Sequence, residues 1–339
     1  MTSIKDIAQH CGVAISTVSR VLNNHPDVSE ETRERVLSAV QALRYIPNTS
    51  ARNLVRSSSD TIALLVKGVS NPFFSKLIKT IDREITLRGY TLELHQMDTS
   101  EDELRIGAQL TNERKLIGIL FLGGRFNYSP EEMALIQVPS VFCTYSNSFG
   151  TLDAGAYSSV AIDDKQAARD AVDTLVALGH RRIAILTANE DDNSISELRF
   201  QGYKDALAKH GIPFDPNLVA CTGTFSDMRA IYEATSRLIR RDDSFTAIFA
   251  IADLMAIAAI KALNDHGRSV PQDCSVVAID GLDLSEYTVP TLTTLVQPTE
   301  EMGLACARSL LDLIESPVRH RQYTFETVLR PGGSVRKVN

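Results

Sequence analysis

The chain contains no Gly-x-Ser-x-Gly element, no glycine-rich phosphate loop of the Walker type and no His-Glu-x-x-His pair, which removes the common signatures of serine hydrolases, P-loop nucleotidases and zinc proteases. Its seven histidines are scattered at no metal-ligand spacing, so neither a metal nor any other cofactor is expected. Cysteine is sparse: Cys11, Cys143, Cys221, Cys274 and Cys306 are odd in number, far apart and set among apolar neighbours without a Cys-x-x-Cys pair. Buried, reduced thiols are expected rather than a disulfide framework. No stretch reaches the ~18 uninterrupted apolar residues of a membrane span, and the opening MTSIKDIAQH carries an acid and no apolar signal segment. A cytoplasmic location is the expectation.

What remains is a globular composition, 44% apolar and 23% charged over 339 residues, enough for two or three core-forming units at roughly 100 to 200 residues each. The net charge of −7 is unevenly spread. Residues 1–58 hold seven bases (Lys5, Arg20, Arg33, Arg35, Arg44, Arg52, Arg56) against five acids (Asp6, Asp27, Glu30, Glu31, Glu34), which makes +2 and leaves −9 for the rest. A basic head on an acidic body can bind phosphate locally while repelling it elsewhere, so any nucleic acid should meet the head.

That head has a pattern. Ile4, Ile7, Ala8 and Cys11 make one apolar helical face after a Ser3 cap, and Gly12 stops it. A second helix, Ile15 to Leu22, turns Val18, Val21 and Leu22 inward and leaves Ser16, Thr17, Ser19 and Arg20 outside. A third follows Ser29, with Val36, Leu37, Val40 and Leu43 covering the other two. Two short helices around a tight glycine turn fit the helix-turn-helix arrangement, although spacing alone fits any small three-helix subdomain equally well.

Residue identities decide between them. The string TSIKDIAQHCGVAISTVSRVLNNHPDVSEETRERVLSAVQALRYIPNTSARNL resembles, almost position for position, the headpiece of the lactose-repressor/galactose-repressor family of transcription regulators. The resemblance implies binding to double-stranded, pseudo-palindromic operator DNA, with Ile15, Ser16 and Arg20 at base-reading positions. Arg can pair bidentately with guanine, and Ile offers apolar contact to a thymine methyl. It places Ser3, Thr17, Ser19, Asn23 and Tyr45 at phosphate contacts, which fix register without reading sequence. PNTSARNL, residues 47 to 54, resembles the family's hinge helix, with Asn48 and Ala51 in it and Leu54 as the apolar wedge inserted into the minor groove. Ala14 departs from the family, which usually has a capping Ser or Thr there.

From residue 60 short β-branched runs alternate with helical patterns: strands near 61–66, 90–96, 117–122, 140–145, 160–163, 182–187, 218–222, 246–252 and 275–280, with helices such as 75–88 between them. Such repetition implies parallel sheets flanked by helices. The body resembles the two-lobed periplasmic-binding-protein-like fold of the same family. The expected division is a headpiece 1–46, a hinge 47–58 and an effector-binding and dimerisation body 59–339, with one lobe at about 60–161 plus 292–322 and the other at about 162–290 plus 324–339. Three crossovers near 161, 291 and 323 and a final strand near 324–329 belong to that division.

Ligands of such folds sit in the crevice at the strand ends, between lobes that close by hinge motion. A polyhydroxylated ligand wants an aromatic face and groups that fork hydrogen bonds to hydroxyls. Matched positions supply Asn71, Phe73 and Phe74 in SNPFF, Tyr145, Arg199 in RFQGY, Phe225, Asp253, and Asp280 at the end of SVVAID. Each has a plainer reading, an Arg–Asp structural pair or ordinary aromatic core. Ala252-Asp253, Thr144-Tyr145 and Ala278-Ile279-Asp280-Gly281 depart from the family pattern, so the effector, expected to be a sugar or sugar derivative, stays open to a phosphorylated compound or a stacked nucleobase.

The resemblance implies a regulator, most simply a repressor, whose operator affinity is set allosterically, and no enzyme. The chain lacks a C-terminal leucine-heptad extension, so a homodimer is expected. The rivals are a cytoplasmic solute-binding protein or a degenerate enzyme on the same body fold. A carrier would ignore DNA, whereas a regulator must couple the two ligands reciprocally.

Overall fold

The computed structural model describes residues 3–22, 25, 27–43, 60–68, 70–98, 100–316 and 318–338. The chain divides into two compact units, Met1–Ser59 and Asp60–Asn339. The expected hinge, 47–58, lies outside the described residues.

The first unit contains α1 (Ile4–Cys11), α2 (Ile15–Leu22) and α3 (Glu30–Ala42). Ser3 and Asp6 form a reciprocal capping box on α1, and Gly12 ends it at φ 63°, the left-handed conformation that glycine adopts without steric cost. Ser29 caps α3 by accepting from Thr32 N. Ile7, Ala8, Cys11, Val18, Val21, Val36 and Ala39 form the core, with Leu22, Val40 and Leu43 partly buried against it. Leu37 does not join them and is 43% exposed. The inner stripe of α3 runs 36, 39, 40, 43, and residue 37 is turned about 100° away from it.

The second unit is α/β. Its first sheet has the order β11-β5-β4-β3-β1-β2 and its second β12-β10-β9-β8-β6-β7. The strands of the first lobe are β1 (Thr61–Lys67), β2 (Thr91–Met97), β3 (Gly118–Leu122), β4 (Ser140–Cys143), β5 (Ser158–Ile162) and β11 (Gln322–Phe325). Those of the second are β6 (Ile183–Thr187), β7 (Val219–Cys221), β8 (Ala247–Ala250), β9 (Ser275–Asp280), β10 (Thr293–Val296) and β12 (Val328–Arg330). Pairing is parallel except for β12, which runs antiparallel to β10. Helices cover both faces, and the inner strands GILFL, AIFA and SVVAID are accordingly buried end to end. The helices are α4 (Phe73–Leu87), α5 (Glu103–Arg114), the single turn α6 (Pro130–Met133), α7 (Asp164–Ala177), α8 (Ile195–Lys209), α9 (Met228–Arg241), α10 (Asp253–Asp265) and α11 (Thr299–Glu315).

Two boundaries differ from the sequence expectation. The segment from 292 was assigned to the first lobe, but β10 pairs with β9, Thr293 opposite Val277, and Thr294 Oγ1 donates to Asp253 at 2.5 Å. The chain therefore crosses at Gln297-Pro298 rather than at 291. The single final strand is two strands, β11 in the first sheet and β12 in the second, with the crossing at Glu326-Thr327 between them rather than at 323. All five cysteines are free, and Cys221 is exposed instead of buried because it ends the edge strand β7.

Candidate functional site

On α2, Val18 and Val21 fix one face to the core, and this forces the other outward: Ile15 is 44% exposed, Ser16 and Arg20 are exposed, and Thr17 and Ser19 are half-buried. An apolar side chain, a hydroxyl and a guanidinium along one accessible helical face are the chemistry of major-groove reading. Ser3 is occupied locally, its hydroxyl donating to Asp6 Oδ2 at 2.8 Å. Asn23, Tyr45, Asn48, Ala51 and Leu54 lie outside the described residues.

Between the lobes of the second unit lies a cleft of about 590 Å³. Direct contacts also join the lobes: Ser70 Oγ to Ser226 Oγ at 3.1 Å, Phe126 N donating to Asn193 O at 2.9 Å, and Lys76 Nζ to Asp283 at 2.5 Å. The carboxyl ends of β1, β3, β4, β5, β6, β7, β8, β9 and β10 deliver most of the lining, as parallel α/β sheets do.

Asn71, Phe73, Phe74, Phe225, Arg199 and Asp280 all line this cleft. Asn71 Oδ1 accepts from Phe73 N at 3.1 Å and so fixes the start of α4, which holds the two rings 5.7 Å apart and tilted by 56°.

Arg199, 2% exposed, sits on α8 behind the floor. Its Nε donates to Asp164 Oδ1 at 2.8 Å, Nη2 lies 2.8 Å from the same oxygen, Nη1 donates to Ile251 O, and Nη1 stands 3.5 Å from Asp280 Oδ1. All three guanidinium nitrogens thus meet protein oxygens, which holds the two flanking carboxylates in place, and Arg199 itself lines the cleft. Burial pushes the Asp164 carboxyl up against the pull of Arg199, and pushes Asp280 up to about 7 with the neighbouring Asp253 adding to the rise. Asp280 holds φ at 135°, a conformation residues other than glycine rarely adopt. Gln297 secures it there, donating from Nε2 to Asp280 Oδ1 at 2.9 Å and from its main-chain N to Asp280 O at 3.2 Å.

Tyr145 and Asp253 do not reach the cleft. Thr144 at φ 59° ends β4 and lines the cleft itself. The ring of Tyr145 instead lies in a buried cluster with Phe126, Tyr128, Phe142 and Tyr157, its hydroxyl donating to Asn147 Oδ1 at 2.7 Å. Asp253 opens α10 and ties together the segments behind the floor, accepting from Leu282 N at 2.8 Å and from Thr294 Oγ1. Burial raises its carboxyl to about 6.

Asp164, Gln297, Asn189, Asp192, Thr144 and Phe126 also line the cleft, and sequence reasoning did not single them out. Asp164 and Gln297 follow β5 and β10 within two residues, so the rule that ligands sit at strand carboxyl ends marks them. At the rim Lys67 Nζ is bound by Glu103 Oε2 at 2.7 Å and Glu101 O at 2.8 Å. Burial opposes ionisation of Glu103, yet the bonds from Lys67, Tyr128 and Arg125 N hold it below the usual carboxylate range. Among the described residues there is no cluster of metal-ligating side chains and no helix long and apolar enough to cross a membrane.

Comparison with known proteins agrees with both units. Residues 3–48 match the model for bacterial regulatory proteins of the lacI family, and residues 172–335 match a periplasmic binding protein-like domain. The HTH-type transcriptional regulator MalR of Clostridium butyricum is 39% identical over 331 residues, 96% of this chain and 97% of that protein. A transcriptional regulator CelR–cellobiose complex superposes with TM-score 0.73 at 29% identity, covering 98% of this chain and 100% of the other. The lac repressor dimer bound to operator has the same fold, with TM-score 0.76 at 23% identity over 99% of each chain.

Proposed function

The chain belongs to the lacI family of bacterial regulatory proteins, and on that premise we propose that it is a cytoplasmic, homodimeric repressor whose affinity for a pseudo-palindromic operator is set by a sugar held between the lobes of its body. DNA binding and transcription regulation are the family's activity. The observation that carries the sugar reading is the cleft: aromatic rings of Phe73, Phe74 and Phe225 in one lining with the buried acceptors of Asp164 and Asp280 match a ligand with apolar ring faces and many hydroxyls. The cellobiose carried by the CelR relative has that chemistry.

The route of the signal starts at Asp280. A ligand hydroxyl on its carboxylate competes for the oxygen that Gln297 holds, and Gln297 opens the second crossing between the lobes. A changed angle between lobes then moves the chain through residues 47–58 and alters how two headpieces fit half-sites about one helical turn apart. No reaction is assigned, since Arg199 and its carboxylates present no nucleophile paired with a base.

The test is operator selection from a random duplex pool, followed by anisotropy titration with and without saturating cellobiose and related saccharides. A saccharide that changes operator affinity must have its own affinity changed by operator by the same factor. Tight DNA binding indifferent to every saccharide would refute the allosteric sugar reading, and failure to bind any duplex would favour a solute-binding protein.

A further inference from the structure

We propose that the cleft selects an uncharged, unphosphorylated saccharide and excludes sugar phosphates and sugar acids. This rests on reading the cleft as the effector site, and it concerns the charge that the site tolerates.

The cleft's lining cations are Lys67 and Arg199, and its lining anions are Asp164, Asp192 and Asp280. Both cations are already neutralised by the protein. Arg199 spends its fork on Asp164, Asp280 and Ile251 O, and Lys67 is paired with Glu103, whose side chain is 2% exposed. The remaining carboxylates give the lining an excess of acceptors over free donors. With both carboxylates ionised, the Asp164–Arg199–Asp280 group carries one net negative charge.

Helix N-termini converge on the same cleft and would ordinarily favour an anion. Here acidic or polar side chains of the chain already stand at several of them. Asp163 caps α7, whose first turn holds Asp164; Ser194 caps α8; Asp227 caps α9; and α10 begins with the buried Asp253. Asn71 Oδ1 occupies the first free amide of α4. A phosphate, carrying about −1.5 to −2 at pH 7, would meet buried carboxylates with no uncommitted cation. A neutral polyol meets what it needs, acceptors for its hydroxyl protons and rings for its apolar faces.

The experiment is isothermal titration of the full-length protein with cellobiose, maltose, trehalose and sucrose, with glucose, and with glucose 6-phosphate, trehalose 6-phosphate and glucuronate. Operator affinity is measured at saturation with each. The expected result is that at least one neutral sugar binds and changes operator affinity, while every anionic compound binds on the order of 100-fold more weakly. An anionic sugar that binds as tightly as the best neutral one and changes operator affinity would leave the effector reading standing and overturn the charge preference. Binding of none, with operator affinity intact, would remove the sugar reading and this inference with it.

Discussion

Replacing Arg199 by methionine tests the buried charge group on which the cleft is built. Methionine keeps the length and apolar stem, but leaves Asp164 and Asp280, each 5% exposed, without the guanidinium that lies between them. Removing one partner of a buried ion pair costs about 3–5 kcal/mol. At ~2–4 °C per kcal/mol for a domain of this scale, the melting temperature of the body should fall by roughly 6–20 °C. The loss must depend on pH. A carboxyl whose folded pKa is raised above its unfolded value carries no penalty below the unfolded value, and the penalty grows as pH rises towards the folded one. Without Arg199 both aspartates are raised further, so calorimetry on the full-length variant should show a larger deficit at pH 8 than at pH 5. A fall of under about 2 °C, or the same fall at both pH values, would refute a buried triad held by charge.

Asp280→Asn removes the carboxyl that burial has pushed up to about 7 while Arg199 keeps Asp164. The stability of this variant relative to the parent should improve between pH 5 and pH 8, measured by urea titration, and a flat difference would show that Asp280 titrates normally. Gly202 lies where α8 crosses α7, and a Cβ there would stand 2.3 Å from Lys165 O and 2.8 Å from Ala168 Cβ; Gly202→Ala should cost about 1–3 kcal/mol by overpacking, and an unchanged melting temperature would mean the helices are not in close contact. Arg20→Ala should weaken the selected operator by about 1–3 kcal/mol and relax preference at one base pair. Equal weakening across unrelated duplexes would reassign Arg20 to the phosphate backbone.

The headpiece was the most legible part of the chain because its signals are local. Ser3, Gly12 and Ser29 act within a turn of their own positions, and the i, i+3, i+4 stripe names the core apart from Leu37. The strands were legible for a similar reason, each being a short β-branched run. What failed depended on contacts remote in sequence. Nothing near Thr293 shows that it will pair with Val277 and bring β10 into the second sheet. Tyr145 looks like a site residue until the backbone at Thr144 is known to end β4 in the left-handed region, and Asp253 until Thr294 is seen beneath it. Arg199 was found, but its partners were not, since they stand 35 residues before it and 52 and 81 after it.

The three crossings between the lobes are not independent tethers. Phe325 is paired with Ile162, and Val296 with Val328, so the strands that enter and leave the crossings are bonded side by side on both lobes. Three adjacent links of this kind behave like the knuckles of a door hinge. Because these pairs hold the crossings close together, opening about the line they form breaks no strand pairing, and whatever fills the cleft can report itself through that angle.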